Sequence, residues 1–204
     1  MSAVKDAIVQ AVDGLGNELE ALSRQIHDHP ELGFQETQAC AWLAGFLAAK
    51  GLTGETGVGG VETAFRATIE GGDGPTIAIL CEYDALPGIG HACGHNVIAT
   101  SGAGAGAALA AVKARLPKGR VQVIGTPAEE GGAGKVRLIQ AGVFKDVDCA
   151  MMIHGFDRTL LHSDLLGIVR ATFEYTGRAS HASADPWAGI NALDACIQTF
   201  NAVS

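Results

Sequence analysis

Three continuous apolar runs, each leading into residues that can bind metal, constrain this chain more than any other feature. They are TIAILCEY (76–83), VQVIGT (121–126) and DCAMMIHG (148–155). Runs of this length without polar alternation suit strands covered on both faces. Between them lie helix-length segments, VIATSGAGAGAALAAVKARL (97–116), closed by Pro117, and KVRLIQAGVF (135–144). Strand and helix in alternation predict an α/β fold, a largely parallel sheet sandwiched by helices.

The flanking segments extend this pattern. Apolar residues at Ile8, Val12, Leu15, Leu19, Leu22 and Ile26 recur near a period of 3.6 and predict one amphipathic helix over 4–29, stopped by Pro30. A second helix is expected over 36–50, ending at Gly51. VETAFRATIE (61–70) alternates like a half-buried strand, with GGDGP as the turn that follows. After about Leu166 the character changes. IVRATFEYTGRASHAS (168–183) reads as a strand with one exposed face, and GINALDACIQTFNAVS (189–204) as an amphipathic helix. Residues 1–168 are therefore expected to form one domain and 169–204 the opening of a smaller α+β domain.

Composition narrows the partners. The chain has 204 residues, 48% of them apolar and 18% charged, so it can bury a core. Its net charge is -8 and nothing basic is clustered, which leaves no electrostatic footprint for nucleic acid or an anionic membrane. No apolar run approaches the roughly 20 residues that span a bilayer. The N-terminal segment alternates charged and apolar residues, unlike a signal peptide. Five widely spaced cysteines do not make a disulfide framework, and Cys40, Cys81, Cys149 and Cys196 sit in apolar stretches as small hydrophobes. A cytoplasmic setting is expected.

The strand ends carry the chemistry. In open α/β sheets the binding crevice lies at the carboxyl ends of strands. The first run leads to Asp84 and then His91-Ala92-Cys93-Gly94-His95, the second to Glu129 and Glu130, and the third to His154. Thiolate, imidazole and carboxylate are all ligands for first-row divalent metals, and Gly94 permits the sharp turn that lets Cys93 and His95 share one site. On an extended backbone Glu129 and Glu130 would point to different sides, one toward metal and the other toward a water whose proton it could take. Asp84 suits acceptance of a ligand histidine's second N–H. Each motif alone also has a plain reading: surface charge for the glutamates, a turn residue for Asp84, a core or rim residue for His154. His91, His27 and His29 read as structural or surface residues. His181 could donate a hydrogen bond to a substrate carboxylate or developing oxyanion, or be an exposed loop histidine. Gly102 to Ala107 loosely fits a dinucleotide fingerprint, but follows no strand directly and has no acidic residue some 20 residues on.

In this order the motifs resemble the co-catalytic metal aminoacylase/carboxypeptidase family of metallopeptidases, in its amidohydrolase branch. The run His27-Asp28-His29-Pro30-Glu31-Leu32-Gly33-Phe34-Gln35-Glu36 is similar to the branch's N-terminal signature. EYDALPGIGHACGHN (82–96) resembles most the β-alanyl-lysine dipeptidase-like members, and GTPAEEGGAGK, MMIHG and GRASHASADPWAGINALDA follow in the family's order. The resemblance implies a zinc-exopeptidase-like fold and a site for two divalent metal ions, zinc or manganese, with cobalt or nickel as other candidates. Cys93, His95, Glu130 and His154 would be the ligands, Glu129 the general base and His181 the residue of a lid domain that reaches substrate. It implies hydrolysis of the amide bond of small N-acyl amino acids or dipeptides through metal-activated water, in a homodimer formed through the lid. Family members run to roughly twice this length, so the chain reads as an N-terminal half, expected to hold metal weakly and turn over little by itself. Two rival readings are an inactive metal-binding remnant and a dinucleotide-binding oxidoreductase.

Overall fold

A computed structural model describes residues 3–161 and 166–204. Its elements are α1 (Ala3–Gly14), α2 (Gly16–Asp28), α3 (Thr37–Ala49), β1 (Thr53–Thr56), β2 (Phe65–Glu70), β3 (Thr76–Cys81), α4 (His95–Ala111), β4 (Arg120–Gly125), α5 (Glu129–Gly132), α6 (Gly134–Gln140), β5 (Cys149–Met151) and α7 (Ala192–Val203). The chain divides into two compact units, one through Asp157 and one from Arg158.

In the first unit the apolar runs become β3, β4 and β5, hydrogen-bonded side by side in a five-stranded sheet of order β1-β2-β4-β3-β5. The sheet is mixed. β3 is parallel to both β4 and β5, while β2 is antiparallel to β4 and to β1. All three parallel strands therefore deliver their carboxyl ends to one edge. Helices cover both faces. On one, Leu22 and Ile26 of α2, Leu43 and Leu47 of α3 and Ala99 and Ala103 of α4 bury against Phe65, Ala67 and Val123. On the other, Leu138 of α6 packs with Val58, Ala64, Ala78 and Ile124.

Several sequence expectations are corrected. The single helix over 4–29 is two, because Gly14 and Gly16 flank Leu15 and glycine is among the weakest helix formers. β1 went unseen because Thr53, Gly54, Glu55 and Thr56 include no apolar residue and all are exposed. Of the cysteines, Cys40 and Cys81 are buried but Cys149 and Cys196 are exposed; all five are free.

The glycine-rich segment lies in the interior of α4 and serves close packing. A Cβ on Gly102 would stand 2.5 Å from Cys81 Sγ, and one on Gly106 2.3 Å from Val123 Cγ2. No turn is left there for a pyrophosphate, which removes the dinucleotide reading. Gly106→Ala should accordingly destabilise the chain by about 1–3 kcal/mol through overpacking, against the roughly 1 kcal/mol that alanine gains in an open helix. Urea unfolding reads the sign, and a stabilised variant would show that α4 can lift off β4.

In the second unit the strand expected over 168–183 does not form. Residues 166–183 are exposed throughout, and the pairing there is one isolated bridge, Arg178 with Ile190. A half-buried strand needs a neighbouring ladder and a covering layer, and among the described residues of their unit these have neither. α7 is present, capped by the Asn191 side chain on the Leu193 amide. Among the described residues no helix is long and apolar enough to cross a membrane.

Candidate metal centre

The loops leaving β3, β4 and β5 meet the N-terminus of α4 at the carboxyl edge of the sheet. β3 continues into Glu82-Tyr83-Asp84, all buried. Gly94 takes a left-handed conformation, φ 81°, and turns the chain so that α4 begins at His95, two residues earlier than the sequence suggested. Cys93 thus ends the loop and His95 opens the helix.

His95 is fully buried and is the hub of the cluster. Its Nδ1 lies 3.0 Å from Asp84 Oδ1. Its Nε2 makes no hydrogen bond, yet faces carboxylate oxygens of Glu82 at 3.5 Å, Glu130 at 3.7 Å and Glu129 at 3.9 Å. Buried polar atoms are seldom left without partners, and acidic oxygens seldom converge without a positive charge between them. On the open side Cys93 Sγ stands 3.7 Å from His154 Nε2. Two overlapping groups of ligand atoms result, Cys93 with His95 and His154, and His95 with Glu129 and Glu130, each with all its atoms within 4.8 Å.

Electrostatics agree with this reading. Burial opposes charge on Asp84, but hydrogen bonds from His95 and the Glu130 amide outweigh it and hold the carboxyl below its usual range. Burial also opposes charge on the His95 ring, and Asp84 overrides it, raising the ring's pKa. The Cys93 thiol is pushed up to about 11 by burial and then by the charge of Glu130. Such a thiol ionises readily only beside a cation, and divalent metal supplies one. The mixed sulfur, nitrogen and oxygen donors, with an orphaned imidazole nitrogen at their centre, fit a first-row divalent metal.

Glu129 and Glu130 depart from the extended geometry expected of them. They open the one-turn helix α5, behind Ala128 in a left-handed conformation at φ 56°. The N-terminal signature holds that strained residue. The Ala128 amide donates to the buried Glu36 carboxylate at 2.8 Å, and Gly33 and Gly132 leave room for the Ala128 side chain. Glu31 of the same signature caps α3 by accepting from the amides of Gln38 and Ala39, at 3.0 and 2.9 Å. Glu31 and Glu36 thus act as struts. Of the other histidines, His27 and His29 are exposed, while His91 is buried, its ring 6.4 Å from that of His27.

Sequence reasoning missed Glu82 and Lys135. Glu82 is buried, and its Oε1 accepts a hydrogen bond from Lys135 Nζ in the first turn of α6. One signal was available: an acidic residue directly continuing an apolar strand, where burial is the default. His181 belongs to the second unit. Its Nδ1 faces the amides of Ser183 and Ala184 at 3.3 and 3.2 Å.

The chain is 39% identical over 216 residues to a mouse Xaa-Arg dipeptidase, covering all of this chain and 50% of that protein. It is 37% identical over 196 residues to a component of the p-aminobenzoyl-glutamate hydrolase of Escherichia coli K12, covering 85% of this chain and 40% of that one. Among solved structures, the YXEP protein of Bacillus subtilis, described as a dinuclear metal binding peptidase, superposes with a TM-score of 0.63 at 33% identity over 68% of this chain and 42% of its own. The chain spans about half the length of the curated relatives it matches. The model of Peptidase family M20/M25/M40 matches residues 78–203, most of the chain, and the chain belongs to that family.

Proposed function

We propose that this chain supplies the metal-binding part of an amidohydrolase that cleaves the amide bond of small N-acyl amino acids or dipeptides. The observation that carries the reading is the buried Nε2 of His95, which makes no hydrogen bond and is ringed by carboxylates at the ends of the parallel strands β3 and β4. The relatives named as a dipeptidase and an aminobenzoyl-glutamate hydrolase support the substrate class.

Cys93, His95, Glu130 and His154 would hold two divalent ions, zinc or manganese. Bound metal of this kind acidifies water and polarises a carbonyl. The residues of the chain do the rest. Asp84 fixes the His95 ring, so that Nε2 presents its lone pair. Glu130, with its side chain 21% exposed, suits a ligand, whereas Glu129 at 42% remains open to water. Glu129 therefore takes the proton of the attacking water and returns it to the leaving nitrogen. His181, as the resemblance implies, meets the substrate's carboxylate or carbonyl oxygen. A homodimer through the second unit and a cytoplasmic setting, in keeping with five free cysteines, belong to the same proposal.

Metal analysis of the purified chain, beside a hydrolysis assay on dipeptides and N-acyl amino acids, tests it. The chain should bind divalent metal, and Cys93→Ala should lower its affinity at least about 10-fold. Unchanged stoichiometry and affinity would remove Cys93 from the ligand set. Metal without turnover in a protein of the relatives' length would favour the non-catalytic remnant.

A further inference from the structure

The three histidines to which roles have been given are hydrogen-bonded in two opposite ways. A neutral imidazole carries one proton, and the partner facing one nitrogen decides where it sits. His95 Nδ1 faces the Asp84 carboxylate, and His154 Nδ1 faces the carbonyl oxygen of Gly155 at 2.8 Å. Carbonyl and carboxylate oxygens only accept, so both rings carry their proton on Nδ1 and offer the Nε2 lone pair. His181 is the reverse. Its Nδ1 faces two backbone N–H groups, of Ser183 at 3.3 Å and Ala184 at 3.2 Å, and these only donate. Nδ1 must then be the lone-pair nitrogen, and the proton sits on Nε2.

Asp185 closes the turn that makes this arrangement. Its Oδ1 accepts from the His181 amide at 3.1 Å, and its own amide donates to the His181 carbonyl at 3.1 Å. The Ser183 hydroxyl lies 3.2 Å from the same Nδ1. Backbone and side chain of a five-residue segment therefore converge on one ring nitrogen, without help from elsewhere in the chain.

We infer that the turn from His181 to Asp185 is a tautomer lock: Ser183, Ala184 and Asp185 are positioning residues that hold His181 as a hydrogen-bond donor through Nε2. A ring held this way offers no free lone pair, so it serves neither as a metal ligand nor as a general base. It presents N–H to an acceptor, which for the proposed hydrolase is a substrate carboxylate or the oxygen of the scissile carbonyl. That functional consequence rests on the proposed activity; the lock itself does not.

The test is nuclear magnetic resonance on the chain with isotope-labelled histidine, at a pH alkaline enough for the ring to be neutral, with His181 assigned from a His181→Gln variant. His181 should show one tautomer, protonated on Nε2. Asp185→Ala, which removes the side-chain acceptor, and Ala184→Pro, which removes one N–H donor, should each raise the Nδ1-protonated population several-fold. Asp185→Asn keeps an acceptor oxygen and should restore the parent ratio. Backbone spectra of α7 report whether each variant still folds, and Asp185→Ala carries the test if the proline does not. A parent ring protonated on Nδ1, or a ratio that Asp185→Ala leaves unchanged in a folded chain, overturns the lock. The readout needs neither metal nor turnover, so failure of the metal-centre reading leaves it standing, and the converse holds too.

Discussion

Glu129→Gln should leave metal binding close to that of the parent chain and slow amide hydrolysis, in a protein that turns over, by about 100- to 10,000-fold. The side chains are equal in size, and only the ability to take a proton is lost. The neighbouring Glu130→Gln should do the opposite, losing metal before anything else. The contrast follows from the turn that presents them. Both sit at the start of α5, with oxygens 3.9 and 3.7 Å from His95 Nε2, but water reaches Glu129 more freely than Glu130. Metal titration of both variants, beside kcat in the active form, decides the assignment. If Glu129→Gln loses metal while Glu130→Gln keeps it, the two residues exchange roles. If activity survives Glu129→Gln with metal unchanged, the base lies elsewhere.

The parts of this site that were legible in the sequence share one cause. A strand buried on both faces must be apolar over its length, which made β3 and β4 legible, and the polar residues that ended them marked the edge of the sheet. β5 carries a similar apolar run, but it is the edge strand and its three residues are exposed, so the burial expected of it does not hold. Cys93, His95 and His154 stood out because few residues of their type occur in the chain. Glu82 had no such contrast. It is one of 22 acidic residues, and what sets it apart is burial beside His95 and a partner, Lys135, on a different element. The helical start at Glu129 was hidden for a related reason: the left-handed Ala128 is imposed by Glu36, far away in sequence, and alanine has no local preference for that conformation. At the other end, the alternation over 168–183 predicted a strand that does not form: these residues are exposed, and their pairing is one isolated bridge, Arg178 with Ile190, so alternation without a ladder to join does not make a strand.

Lys135→Met should cost the chain about 3 kcal/mol of folding stability, more than any surface charge change. Glu82 is 2% exposed, and its one hydrogen-bonding partner on Oε1 is the Lys135 ammonium; its Oε2 has none. Removing the lysine strands a buried carboxylate next to two further acidic side chains, and breaking a buried pair from one side is far more damaging than removing both charges. The double variant Lys135→Met/Glu82→Gln should therefore recover most of the loss, and linear extrapolation from urea unfolding measures the coupling. A single-variant loss within about 0.5 kcal/mol would mean that the pair holds nothing together. Divalent metal adds a second comparison. Glu82 Oε2 lies 3.5 Å from His95 Nε2, so a cation held there screens the stranded carboxylate. The Lys135→Met penalty should then shrink in metal-saturated protein, in addition to any general stabilisation by binding, which raises parent and variant alike when their affinities match. A penalty identical with and without metal would show that Glu82 does not sense the centre, and would leave Lys135 to supply its counter-charge.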